Sequence, residues 1–432
     1  MTYFIGLLLV AAHGLPWLLQ PGRAIYASPM KVIATFSAVT NLPYFVLLAG
    51  DFQASGVYTL IQSQFEHVLQ NFGILYSLGL LATFAGIGLT RRLALPNLRL
   101  IPVKQLTRRN LATIIAFLYA LGVAMILLKF QAAGGIVAFV TNIADRSENL
   151  AGTGHYDIIM MPAVFLCVFF AIYSRGMNGK PGLLVIGFIL LSLFGLLTLF
   201  GGRKLPLYLG LFGVLAYSRY VGRIRLFSLP TLSLLALAVL FFWAMLSWRI
   251  SSQLHSTGGV DFSYTVVTGN LSYIDNWLFI LDHFGRQGFW YGQTFIDLVA
   301  RFEPAGPSGY PPLDDGVYVR TLATGQNVIP PTPFSQMYPS SWPPETFGNG
   351  YLNFGIAGVL VFSLIRGLVV GVCYRYCVRD NFAPTAFFVF LFTAINFHVT
   401  NLRIVQMATL LAGMLLLSVA VSVMGRIRWR PA

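Results

Sequence analysis

Apolar residues in this chain do not alternate with polar ones; they run. Almost uninterrupted apolar stretches lie at about 3–19, 32–50, 73–89, 111–128, 157–174, 182–199, 205–219, 228–247, 350–373, 382–398 and 404–424. A helix of about twenty such residues crosses the hydrocarbon core of a bilayer. A transmembrane β-barrel would instead give segments of about ten residues with alternating character. The pattern predicts an all-α polytopic membrane protein of about 11 transmembrane helices. One long polar stretch interrupts it. Residues 250–346 carry the Gly- and Pro-rich clusters PAGPSGYPP, IPPTP and SSWPP. Three parts follow: transmembrane helices 1–8 over residues 1–249, a large extracytoplasmic loop with short helices over 250–346, and transmembrane helices 9–11 over 347–432. Within the loop, GFWYGQTFIDLVARF (residues 288–302) spaces Phe289, Tyr291, Phe295, Leu298 and Phe302 as on one face of a helix, either interfacial or packed on the spans.

Composition agrees with this assignment and charge orients it. The 432 residues are 56% hydrophobic and only 10% charged, against about 25% in a soluble domain. No Lys or Arg precedes the first run, which places the N-terminus outside. Alternate loops then collect cations: Arg23 and Lys31; Arg91, Arg92, Arg99, Lys104, Arg108 and Arg109; Arg175 and Lys180; Arg219, Arg223 and Arg225; Arg375 and Arg379; Arg426, Arg428 and Arg430. Asp380 is the one acid among them, and the other 13 of the 14 acids fall on the opposite loops. The positive-inside rule therefore predicts an N-out/C-in arrangement. It also explains the net charge of +14 as a membrane-surface feature, so a nucleic-acid partner is not needed. Cys167, Cys373 and Cys377 sit in or beside apolar runs and make neither a disulfide framework nor a zinc pattern.

Some cations defy the trend. Arg203 and Lys204 occupy a tight turn in LFGGRKLPLYLG, between two apolar runs. Arg249 follows the eighth run directly and Arg403 follows the tenth. All four are expected near the outer membrane surface, where Arg146 and Arg320 also belong. A cation at the bilayer centre costs about 2.5–3.5 kcal/mol, less toward the edge. Snorkelling or pairing with loop carboxylates accounts for any one of them. A cluster at one depth points instead to an anion, because the guanidinium fork donates two parallel hydrogen bonds to phosphate. At that depth the anion is a lipid-linked phosphate or pyrophosphate. Arg366, inside the ninth run, is expected to snorkel to the cytoplasmic side. No Walker A, dinucleotide-binding or H-E-x-x-H motif occurs, and the six histidines show no ligand spacing. No metal and no cofactor are expected. The loop aromatics, including Trp277, Trp290, Tyr291, Tyr338 and Trp342, suit sugar faces or an interfacial belt.

Two stretches carry a family resemblance. FGNGYLNFGIAGVL (residues 347–360) opens a span directly after the outer loop, with Tyr351, Asn353, Phe354 and Gly355 in order. NIADRSENLAGTGHY (residues 142–156) sets one Arg, Arg146, before a Gly-x-Gly. Both resemble bacterial Wzy-type polymerases of O-antigen and related repeat-unit oligosaccharides, and the GGRK turn resembles an arginine of that family. The position commonly acidic there is Asn349 here, with Glu345 one turn earlier. The resemblance implies a glycosyltransferase-C-like fold in the bacterial inner membrane, with its active site facing outward. It implies that a glycan on undecaprenyl pyrophosphate is transferred to a fresh lipid-linked repeat unit, with a chain-length regulator protein as partner. Arg146, Arg203, Lys204, Arg249, Arg320 and Arg403 would bind pyrophosphate, and His398 or Glu345 would be the general base. An O-antigen ligase or a transporter of lipid-linked oligosaccharides shares several of these features.

Overall fold

A computed structural model describes residues 2–96, 108–141, 153–200, 204–222, 271–300 and 309–426, with a few isolated positions between. It is helical, with no strand among the described residues. Seven described helices are long and apolar enough to cross a membrane. In chain order the principal helices are α1 (Thr2–Leu19), α2 (Pro29–Gly50), α3 (Phe65–Leu89), α4 (Arg108–Ala132), α5 (Asp157–Asn178), α6 (Leu183–Thr198) and α7 (Lys204–Tyr220). Then come α8 (Ile274–Gln287), α9 (Gly316–Ala323), α10 (Glu345–Arg379), α11 (Pro384–Asn396) and α12 (Asn401–Arg426). The expected span 228–247 lies outside the described residues.

The chain forms two compact units. One comprises Met1–Pro96, Asp261–Arg375 and Phe392–Met407. Its α3–α10 seam is built from small residues. Gly79, Thr83, Gly86 and Thr90 face Ser363, Gly367 and Gly371. A Cβ on Gly86 would fall 2.3 Å from the Leu364 carbonyl oxygen, and one on Gly367 would fall 2.1 Å from that of Thr83. Lipid tails are as apolar as leucine, so helices gain by closing to backbone contact instead. Above the seam, α8 buries Trp277 among the rings of Phe72, Tyr76 and Phe347 at 5.6, 5.2 and 5.6 Å. The Trp277 Nε1–H donates to the Pro344 carbonyl at 2.8 Å. Asp275, the second residue of α8, accepts from the Tyr44 hydroxyl (2.9 Å), the Ser55 hydroxyl (2.7 Å) and the Gly56 amide (3.1 Å). Burial pushes this carboxyl's pKa up and the three donors oppose it. The segment that contains α8 is therefore packed onto α2 and α3 at the start of that helix.

Three expectations are corrected here. The span 350–373 is not one continuous helix. Phe354 and Gly355 leave helical geometry, Gly355 with φ +61° and ψ −143°. Gly350 and Gly358 then meet backbone to backbone, with an added Cβ on Gly358 only 2.0 Å from the Gly350 carbonyl oxygen. Eight residues of straight helix would hold them about 12 Å apart. The chain therefore folds back at 354–355, and residues 345–353 lie against the start of 356–379. The span 382–398 is shorter than expected: α11 has 13 residues, about 20 Å of helix, and ends in a buried reversal at 397–400. The periodic piece 288–302 is not an amphipathic helix. Gly288 and Gly292 take φ of +90° and +89°, helix is confined to Gln293–Phe295 and Ile296–Val299, and residues 301 and 302 lie outside the described residues. Trp290 is turned inward against Phe284 and Tyr318.

The other unit comprises Asn97–Val260, Tyr376–Leu391 and Ala408–Ala432. Helix α5 is its axis, apolar all round and buried from Met160 to Ile172, as a helix enclosed by others must be. Phe165 stacks on Phe388 and meets Phe212 edge-on, and Phe169 meets Phe388 edge-on. Lys129, on α4, is paired with Asp157 at 2.7 Å.

The seam makes a matched prediction. Gly367→Ala drives a methyl into the Thr83 carbonyl, whereas Gly187→Ala on α6 meets no atom within 4 Å. In detergent, Gly367→Ala should lower the yield of monodisperse protein and its melting temperature, and Gly187→Ala should leave both unchanged. Equal behaviour of the two would remove the seam from the structure's support.

Candidate functional site

The fold-back and the reversal bring one buried polar network together in the first unit. The Asn353 side chain lies at its centre. Its Oδ1 accepts from the Gly292 amide (3.1 Å) and the Thr294 hydroxyl (3.2 Å), and its Nδ2 donates to the Asn349 carbonyl (3.0 Å). Asn349 Nδ2 donates to the Val399 carbonyl at 2.7 Å. The Val399 amide donates to the Thr346 hydroxyl at 3.3 Å, and that hydroxyl meets His398 Nδ1 at 3.1 Å. His398 Nε2 lies 3.4 Å from Glu345 Oε1. The two residues proposed from sequence as alternative bases are thus one carboxylate–imidazole pair.

Their environments differ. The His398 side chain is 6% exposed and that of Glu345 is 16%. Glu345 is the member that reaches open space, while His398 is enclosed behind it. Glu345 also holds a left-handed backbone, φ +53°, which costs an L-residue about 1–2 kcal/mol. Such strain persists only where the surroundings over-determine it, and it gathers at functional positions. Here the determinants are the hydrogen bonds of the next turn, through Thr346 and Asn349.

The other expected residues are placed as follows. Arg146, Arg203 and Arg249 lie outside the described residues, and Lys204 opens α7 with its side chain undescribed. Arg320, on α9, has its guanidinium over the rings of Tyr338 (5.2 Å) and Trp342 (4.6 Å). Arg403, in the first turn of α12, donates from Nη1 to Gln406 Oε1 at 2.7 Å. Tyr351 packs edge-on against Phe289, 5.5 Å between centroids. Gly355 supplies the fold-back and Asn353 ties it down. Among the described residues no group of three His, Cys, Asp or Glu side chains is arranged to hold a metal.

Sequence reading missed two groups. Arg366 does not snorkel: its Nη2 donates to the Ala394 carbonyl at 3.3 Å. Counting the span from Ile356 rather than Gly350 would have put Arg366 near its middle. His13 is buried in α1, with Nε2 2.9 Å from the Ser37 hydroxyl, which in turn bonds the Tyr76 hydroxyl at 2.6 Å. A histidine midway through an apolar run was the available signal for it.

Asn353→Ala would strip the Gly292 amide and the Thr294 hydroxyl of a shared acceptor. A buried donor left unmatched costs about 1–3 kcal/mol. The variant should therefore melt clearly below wild type, while Gln53→Ala on the exposed surface should not; an unchanged melting temperature for Asn353→Ala would sever the network from stability. Comparison with family models, with curated proteins and with solved structures gives no match to this chain.

Proposed function

We propose that this chain joins lipid-linked oligosaccharide repeat units outside the cytoplasm, as a polymerase of O-antigen, capsule or exopolysaccharide chains. The reading takes the membrane arrangement as about eleven spans, N-out/C-in, of glycosyltransferase-C-like type. The observation that carries it is the Glu345–His398 pair, 3.4 Å apart, which joins the reversal at 397–400 to the start of the folded-back helix whose sequence resembles the repeat-unit polymerases. The acceptor hydroxyl attacks the anomeric carbon of the donor glycan. Glu345 takes the hydroxyl proton, and His398 behind it, donating from Nε2 with the Thr346 hydroxyl on Nδ1, orients the carboxylate. The anomeric C–O bond breaks and its electron pair leaves on undecaprenyl pyrophosphate. General-base help of this kind is worth about 10²–10⁴-fold. Cations aimed at the departing pyrophosphate stabilise the charge that develops in the transition state. Arg320, and Arg403 beside Gln406, are the proposed ligands within the same unit as Glu345.

A second reading has one observation of its own. Discontinuous helices with polar side chains at the break are also how many transporters bind substrate within the membrane, and the break at Phe354–Gly355 fits that description. One experiment separates the two. In a strain lacking the gene, surface glycans are resolved on a gel with wild type, Glu345→Gln or His398→Gln restored. Wild type should rebuild the long ladder. Glu345→Gln, at equal protein abundance, should leave the single-repeat product alone and lower chain joining by about 10²-fold or more. His398→Gln should be less severe. Loss of the single-repeat product as well would favour transport or ligation, and a full ladder from Glu345→Gln would remove this residue as the base.

A further inference from the structure

Asp315 stands just before α9 and is 1% exposed. Its Oδ1 accepts from Asn401 Nδ2 at 3.2 Å. Asn401 is 0% exposed and opens α12, directly after the reversal that carries His398. Two more atoms of this pair, Asp315 Oδ2 and Asn401 Oδ1, are buried without a hydrogen-bond partner. With Asp315 ionised both atoms are acceptors, and neither can satisfy the other. One proton changes this. Asp315 Oδ2–H becomes a donor, and Asn401 Oδ1 is the acceptor on the amide that Asp315 already contacts. Together with the Nδ2–H to Oδ1 bond, the two side chains then close an acid–amide ring.

We propose that Asp315 is a neutral carboxylic acid in the folded protein, and that its ring with Asn401 is a positioning contact tying α9 of the outer segment to the reversal at 397–400. The ionisable groups around it are Asp314 on the same turn, Asp297 from the Ile296–Val299 turn, and Tyr318 on α9. Burial, then Asp314, then Asp297 raise the Asp315 pKa well above the usual carboxylate range, and the hydrogen bonds from Asn401 oppose them. A buried cation would answer the same charges. The proton accounts for both unmatched atoms with no added group, and leaving such atoms unmatched is what folded proteins avoid. That the ring also holds His398 beside Glu345 rests on the proposed activity; the protonation does not.

The sign of the pH dependence follows from linkage. An unfolded aspartate titrates near about 3.9. A folded pKa above that gives stability which is fully present at lower pH and is lost as pH rises through the folded pKa. Asp315→Asn replaces the acid by an amide that can donate to Asn401 Oδ1 and accept from its Nδ2, with nothing to titrate. The full-length variant in detergent should melt at or above wild type at about pH 8, with its advantage widening as pH rises from about 5 through the folded pKa. Wild type at neutral pH should show an infrared carbonyl band of a protonated carboxyl, and the variant should lack it. Asp315→Asn should restore the glycan ladder where Asp315→Ala does not. The protonation is overturned if that band is absent from wild type. It is equally overturned if Asp315→Asn melts far below wild type at every pH, or if Na⁺, K⁺ or Ca²⁺ stabilises wild type but not the variant. Retention of the melting and infrared results with a ladder from Asp315→Ala would overturn only the positioning of His398.

Discussion

Backbone that leaves helical geometry inside a membrane protein must find every hydrogen-bond partner within the protein. Two stretches here carry that burden: the fold-back at Phe354–Gly355 and the reversal at 397–400. Three side chains meet it, Thr346, Asn349 and Asn353, spaced by three and four residues on one face of the same short helix. Thr346 and Asn349 satisfy Val399 of the reversal from both sides. Asn353 reaches the segment between α8 and α9 at Gly292 and Thr294. The carbonyls freed at Leu352 and Asn353 accept the Trp290 and Tyr291 amides, both at 2.9 Å. The segment around residues 290–294 thus completes the hydrogen bonding of the broken helix.

Placement of the carboxylate–imidazole pair is a consequence. His398 sits on the reversal that Thr346 and Asn349 fix, and Glu345 begins the helix that bears both of them. The backbone positions of both residues are thus set by buried hydrogen bonds. The left-handed conformation of Glu345 is sustained by the same bonds, since relaxing it would pull Thr346 away from Val399 and His398. The small-residue seam with α3 supplies the remaining constraint, because it fixes where the long half of α10 lies and therefore where Arg366 and Tyr76 stand relative to Glu345.

Much of the helical layout could be read from hydrophobic runs, since length and apolarity alone decide whether a segment suits the bilayer. The break in α10 could not. Hydropathy does not register a reversal of direction when both halves are apolar, and Gly355 is one glycine among several in FGNGYLNFGIAGVL. The short α11 was overestimated for the same reason: Phe397 and Val399 extend its apolar run although their backbone turns away. Glu345 and His398 were each visible as titratable groups beside an apolar run. Their adjacency spans 53 residues of chain and arises from tertiary packing, which periodicity cannot encode. The piece 288–302 misled because Phe and Tyr at helical spacing also suit an irregular segment whose aromatics fill a core, and the glycines at 288 and 292 were the contrary signal.

The described cations differ in how ready each is for an anion. Arg403 already directs Nη1 to Gln406, so a phosphate would have to compete for that donor. Arg366 directs Nη2 to the Ala394 carbonyl, which fixes it to the end of α11. Arg320 has its guanidinium carbon over the rings of Tyr338 and Trp342, 5.2 and 4.6 Å from their centroids. A guanidinium held against aromatic rings loses less freedom for each hydrogen bond it forms. Of these three, Arg320 is the arginine whose surroundings leave it best prepared to receive a planar or tetrahedral oxyanion, although its sequence context was the least distinctive of the candidates.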